Sequence, residues 1–185
     1  MKLTIDQMLQ KIAQMVEEEL VKTDGVYTGD NLVLAQTFLD GINVALEKII
    51  REKLLLKTKE MISIDAEGIF NVSVLTKNCI KINKITYHDT NYSFEILEDV
   101  NVKVLDSSAK DDVYISYNYL PEAYTITDLA VTPSVDFDHL ILCYYSSYYY
   151  LMLTAADTKN YLNLFNEGYS NIKKLSKSKR VGKHD

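Results

Sequence analysis

The sequence predicts an α+β fold, a bundle of about four helices with a small antiparallel β lobe inserted into it. Three observations carry this prediction. Apolar residues recur at helical spacing up to about residue 55, then alternate singly through residues 60–119, then return to helical spacing from about Asp138. Turn-forming clusters, Thr76-Lys77-Asn78, His88-Asp89-Thr90-Asn91 and Ser107-Ser108, punctuate the alternating region. Helices flank the alternating region on both sides, so the sheet is an insertion. The expected domains are a bundle over residues 1–58 and 120–176, a β lobe over 60–119 and a basic tail over 177–185.

Thr4-Ile5-Asp6-Gln7 reads as a capping box, with the Thr4 hydroxyl and the Gln7 amide each satisfying a backbone N–H. Ile5, Met8, Leu9, Ile12, Met15, Val16 and Leu20 then predict a first helix to about Lys22, stopped by Thr23-Asp24-Gly25. Glu17, Glu18 and Glu19 would lie near its C-terminus, where the helix dipole disfavours anions, so this run is expected in solvent or on a partner. Asp30 is expected to cap a second helix reaching about Leu55, with Glu47 and Arg51 paired at i, i+4 on its outer face.

Phe70–Val74, Tyr92–Ile96 and Val113–Tyr117 alternate, the segment Cys79–Tyr87 is rich in isoleucine and Asn101–Leu105 carries valines, which predicts four to six strands. Leu120-Pro121-Glu122 ends the sheet. A third helix is expected from about Asp138 to Ala155, apolar nearly all round, and a fourth is expected to be capped by Asp157 and to bury Tyr161, Leu162, Leu164, Phe165, Tyr169 and Ile172.

Composition narrows the function classes. Cys79 and Cys143 match no metal or redox spacing and read as two free thiols in a reducing compartment. No secretory signal is expected, because Met1-Lys2-Leu3-Thr4 runs directly into the first helix. His139–Ala156 has no Asp, Glu, Lys or Arg over eighteen residues, but five tyrosines and two serines at its centre favour a buried helix over a membrane span. Charge is uneven: Lys173–Asp185 holds six of the 20 basic residues and one of the 26 acidic ones, so a +5 segment follows a −11 body.

No phosphate loop, nucleophile elbow or zinc-helix motif is present. His139 and Cys143 share a helix face at i, i+4, yet Asp136 or Asp138 would be needed to complete a metal set. The pairs Asp111-Asp112 and Glu98-Asp99 sit in turn-like sequence rather than across a pocket. The expectation is therefore a non-enzymatic protein without metal or cofactor. Tyr144, Tyr148 and Leu151 fall on one face of the third helix, and Tyr145, Tyr149 and Met152 on the next. Such a helix is either central to the bundle or turns one face to a neighbouring subunit, with Tyr145, Tyr148, Tyr149 and Met152 as the candidate interface. The basic tail (Lys173, Lys174, Lys177, Lys179, Arg180 and Lys183) reads as a solvated end, as a docking segment for an acidic partner, or as a nucleic-acid contact that the acidic body opposes.

The C-terminal half carries a resemblance. Leu120-Pro121-Glu122, a link containing Pro133, the apolar stretch His139–Ala156, then Asp157–Glu167 with Tyr161, Phe165, Asn166 and Glu167, and a Tyr169–Lys174 ending are similar to the head–tail adaptor (connector) proteins of tailed bacteriophages. The similarity covers about 55 residues and consists of residue types rather than a catalytic signature. It implies a homo-oligomeric ring, usually twelve-fold, in the virion neck, assembled in the host cytoplasm. The C-terminal basic residues would dock in the portal protein, a second neck or tail-completion protein would bind the opposite face, and DNA would pass through the lumen without specific binding. A small DNA-binding regulator using the basic tail is the alternative, and salt-sensitive DNA retention would favour it.

Overall fold

The computed structural model describes residues 1–88, 90–98, 100–105, 112–158 and 160–172. The fold is α+β, with four α-helices and two small antiparallel sheets among the described residues. The chain forms two compact units, Leu55–Glu122 and a helical one built from Met1–Leu54 with the described residues of Ala123–Asp185.

In the helical unit, α1 (Ile5–Val16) opens on the expected capping box, with Thr4 and Gln7 exchanging backbone-to-side-chain hydrogen bonds of 3.2 and 2.9 Å. It ends sooner than expected. Glu17 adopts φ 62°, and the Glu18 N–H reaches back to the Ala13 carbonyl at 3.0 Å, closing the helix in a Schellman-type turn. The three glutamates therefore follow the helix rather than crowd its last turn. A non-glycine residue in the left-handed region leaves no signature in the sequence, hence the misplaced boundary.

Helix α2 (Gly29–Ile49) begins after Thr28, not at Asp30, which lies inside the first turn where its charge suits the dipole. It continues into a π-helical turn, Ile50–Leu54, so the rod reaches the expected length. Glu47 and Arg51 form the expected pair at 2.8 Å. Helix α3 (Leu140–Leu153) and helix α4 (Tyr161–Asn171) complete the unit. Asn160, at φ 65°, precedes α4 in place of the expected Asp157 cap.

Two glycines set the helix spacing. A Cβ on Gly41 would fall 2.7 Å from Ser146 Oγ and 2.8 Å from Ser146 Cα, so α2 and α3 cross backbone to backbone. The Ser146 hydroxyl, fully buried, donates to the Phe38 carbonyl at 2.6 Å. At the α3–α4 crossing, a Cβ on Gly168 would meet Ile141 Cγ1 at 2.6 Å. The tyrosine bodies of α3 then occupy the flanks of these crossings. Tyr150 packs edge-on to Phe38 at 5.1 Å, Tyr145 edge-on to Phe165 at 4.8 Å, and Tyr144 stacks with Tyr161 at 6.5 Å.

The other unit has seven strands among the described residues, one more than the upper expectation, in two sheets rather than one. The first sheet has the order β1-β7-β3-β4, built from β1 (Lys57–Ser63), β7 (Asp112–Leu120), β3 (Asn78–Tyr87) and β4 (Thr90–Tyr92). The second, in the order β2-β6-β5, has β2 (Ile69–Asn71), β6 (Asn101–Val104) and β5 (Phe94–Leu97). The alternating run Tyr92–Ile96 divides at Ser93, one half going to each sheet, and Val72–Val74 turns as a 3-10 helix. Phe70, Val102 and Val104 from the second sheet join Ile82, Ile85, Val113, Ile115 and Tyr117 from the first in one core cluster. Tyr117 is fully buried, and its hydroxyl donates to Glu60 at 2.6 Å. Burial opposes the Glu60 charge, but this bond and those from Thr76 outweigh it and hold the carboxyl below its usual range.

Candidate protein-interaction surface

Helix directions fix where the loops gather. The α1 and α3 starts are tied together, with the Leu3 N–H on His139 Nδ1 and the His139 N–H on the Met1 carbonyl, both at 3.0 Å. Their far ends also meet: Tyr150 donates to Glu18 at 2.6 Å, and Tyr161 donates to the Met15 carbonyl at 2.5 Å. Helix α2 runs the opposite way to α3, since Phe38 lies by Tyr150 and Gly41 by Ser146. Helix α4 also opposes α3, with Phe165 by Tyr145 and Gly168 by Ile141. One end of this unit therefore collects the C-termini of α1 and α3 and the N-terminus of α4, whereas the α1–α2 loop turns back along α1, with the Leu20 carbonyl receiving the Gln10 amide at 3.0 Å.

That end carries exposed apolar side chains. Met152 at 48% and Leu153 at 57% stand in water just beyond Tyr150, which is bonded to Glu18. Single exposed apolar residues are ordinary on a protein surface, and here two adjacent ones stand near a run of carboxylates. Glu17, Glu18 and Glu19 are exposed at this end. Lys22, the basic residue of the same loop, is held by Asp6 at 2.7 Å. The loop is pinned rather than loose. Tyr27 is buried, donates to Asp6 at 2.7 Å, receives the Gln10 amide at 3.1 Å and lies beneath the Lys22 ammonium. Its hydroxyl pKa is driven well up by burial and then by the Asp6 carboxylate.

Of the four residues assigned from sequence to a subunit interface, Met152 stands exposed at 48%, on this end. Tyr145, Tyr148 and Tyr149 are half-buried. Tyr145 is committed to Phe165 and, at 6.0 Å, to Tyr148. The basic residues assigned to portal docking (Lys173, Lys174, Lys177, Lys179, Arg180 and Lys183) lie outside the described residues. Sequence reasoning missed this end because Glu18 and Tyr150, which join there, lie 132 positions apart. Only the parallel packing of α1 and α3 brings them together.

His139 and Cys143 are both buried, while Asp136 and Asp138 are exposed. Asp138 is engaged with the Leu140 N–H at 3.0 Å and the N-terminal ammonium at 3.2 Å. No cluster of three or more potential metal ligands occurs among the described residues. His139 Nδ1 lies 3.0 Å from both the backbone nitrogen and the carbonyl oxygen of Leu3, and its Nε2 is buried without a hydrogen-bond partner among the described residues. Burial lowers the His139 pKa, aided by Lys2 and the N-terminus and opposed by the Leu3 backbone. The folded protein thus holds this imidazole neutral, whereas the unfolded chain takes up a proton near pH 6.5. Stability is expected to fall as pH drops below about 6.5 toward the depressed folded value, by at most about 1.4 kcal/mol per unit. Urea midpoints at pH 7.5 and 5.5 check this, and His139→Gln should flatten that part of the profile.

Among the described residues, no helix is long and apolar enough to cross a membrane; the uncharged stretch supplies only the 14 residues of α3. No protein-family model matches the chain, and no curated protein matches it.

Proposed function

We propose that this protein is a structural head–tail adaptor of a tailed bacteriophage. Copies of it form a ring that joins the portal to the next neck or tail protein and lets DNA pass. The single observation that carries the reading is the apolar, carboxylate-bearing end of the helical unit, a surface suited to another protein. The residue pattern of α3 and α4, similar to that of phage adaptors, supplies the biological setting. A −11 body suits a wall beside DNA, since a negative surface does not hold a sliding polyanion.

In this reading the +5 segment Lys173–Asp185 docks in the portal. Exposed ion pairs are worth only about 0–1 kcal/mol each, but a ring engages one segment per copy, so weak contacts add. Removing residues 173–185 is expected to abolish cosedimentation with portal rings while thermal unfolding of the truncated chain stays unchanged. Full portal occupancy by the truncated chain would contradict the docking role.

A further inference from the structure

Strand β1 is a free edge. It lies outermost in the sheet order β1-β7-β3-β4, and no backbone partner occupies its outer side among the described residues. The ladder shows which groups face that side. The Tyr119 N–H donates to the Leu56 carbonyl at 3.0 Å, so Leu56 and Tyr119 are a hydrogen-bonded pair, and such pairs alternate along two antiparallel strands. Thr58, Glu60 and Ile62 therefore bond to β7, while Lys57, Lys59, Met61 and Ser63 turn their backbone N–H and carbonyl groups outward. All four of these residues are exposed. The seven-residue edge thus offers a row of unpaired donors and acceptors that an extended chain can continue.

The two faces of this edge differ in charge. On one, Lys57 shares a row with Asn118 of β7 and Lys81 of β3, Lys59 with Ser116 and Lys84, and Met61 with Tyr114 and Thr86. Facing residues of antiparallel strands share a side of the sheet. The four lysines are exposed, and none pairs with a carboxylate among the described residues. Asp112, at the end of this face, receives the Ser63 hydroxyl at 2.5 Å. On the other face Glu60 stands between Thr58 and Ile62, already bonded to Tyr117 and Thr76, and Ile62 packs against the core cluster of the unit. Lysines on an edge bar a second β1, whose own lysines would face them, and leave the edge open to a strand bearing carboxylates. Barring self-association does not account for Met61 and Tyr114, left 56% and 43% exposed beside a shallow depression of about 390 Å³.

We propose that β1 takes up an extended, acidic segment of a partner protein as an added strand. The inference goes beyond the adaptor reading and does not depend on it. Charge complementarity identifies the occupant. An added strand sets alternate side chains beside Lys57, Lys59 and Met61 on one face and beside Thr58, Glu60 and Ile62 on the other. Carboxylates fit the first face, and Glu60 repels them from the second, where apolar side chains can extend the packing of Ile62. The fitting segment therefore alternates acidic and apolar residues. A DNA strand fits less well, because its backbone has no donors for the outward carbonyls. The unit is also acidic as a whole, with eleven carboxylates against seven lysines over residues 55–122.

The test uses the full-length chain and labelled seven-residue peptides, matched to the length of β1 and read by fluorescence anisotropy at low salt. A peptide alternating aspartate and valine should bind at least tenfold more tightly than one alternating lysine and valine. N-methylation of its whole backbone should cost at least tenfold. Met61→Pro removes one outward N–H and no charge. Proline is tolerated where an edge N–H faces solvent, so circular dichroism should stay unchanged while peptide affinity falls at least tenfold. Lys57→Glu with Lys59→Glu should weaken binding by a similar factor and remove its salt dependence. Equal binding of the N-methylated peptide, or by a folded Met61→Pro chain, would overturn strand addition; if that variant fails to fold, the N-methylated peptide decides. Equal binding of the lysine peptide, or none of the aspartate peptide at millimolar concentration, would overturn the acidic occupant. An oligonucleotide bound more tightly than the aspartate peptide and released by the lysine reversals would overturn it in favour of nucleic acid, and self-association broken by Met61→Pro would do so in favour of a second copy.

Discussion

Gly41→Ala is expected to destabilise the helical unit, although alanine is the better helix former by up to about 1 kcal/mol. The added methyl would lie 2.7 Å from Ser146 Oγ, 2.8 Å from Ser146 Cα and 3.0 Å from Ser146 Cβ. A Cα cannot swing aside as a side-chain tip can, so α2 and α3 must separate. Separation stretches the buried bond from Ser146 to the Phe38 carbonyl and loosens the Phe38–Tyr150 packing. Overpacking of this kind costs about 1–3 kcal/mol, more than the gain in propensity. Gly168→Ala is a useful contrast. Its methyl meets Ile141 Cγ1 at 2.6 Å and Cδ1 at 3.0 Å, atoms of a side chain that can change rotamer. Chemical denaturation of both variants should rank Gly41→Ala as the more damaging. A stabilised Gly41→Ala would mean that the two helices do not cross this closely.

The second large effect concerns assembly. Met152→Asp combined with Leu153→Asp should leave an isolated subunit within about 0.5 kcal/mol of wild type, because both positions face water. The same change puts two carboxylates into the proposed contact, and ring formation should fail. Tyr145→Asp should behave differently. Its ring packs on Phe165, so its loss should cost the subunit itself about 2–4 kcal/mol. A pair of assays, thermal unfolding of the subunit and sedimentation of the assembly, separates these cases. Normal assembly of the Met152 and Leu153 double variant would remove the apolar end from the interface.

Legibility in the sequence followed the range of the interaction. The Thr4–Gln7 capping box and the Glu47–Arg51 pair are local, and both were readable from residue types at fixed spacing. The change from helical to alternating period exposed the β region for the same reason. Boundaries set by uncommon backbone were not readable: Glu17 at φ 62° ends α1 and Asn160 at φ 65° precedes α4, and neither is a glycine. Sheet membership was equally hidden, since the alternation through Tyr92–Ile96 is continuous while its two halves serve different sheets. For the candidate surface, Met152 was visible as an apolar residue on a crowded helix. Glu17, Glu18 and Glu19 come near Met152 and Leu153 only through the side-by-side packing of α1 and α3, which the bond from Tyr150 to Glu18 closes. The half-burial of Tyr145 depends likewise on Phe165, a partner twenty positions away.

The central claim is that copies of this chain join one another in a ring against a portal. Native mass of the purified full-length chain, alone and after mixing with portal rings, tests it most directly. A discrete complex is expected, in which one closed ring of this chain is added to each portal and from which the ring is lost at high salt. A chain that remains monomeric, leaves the portal mass unchanged and shows the same behaviour at every salt concentration would contradict ring formation.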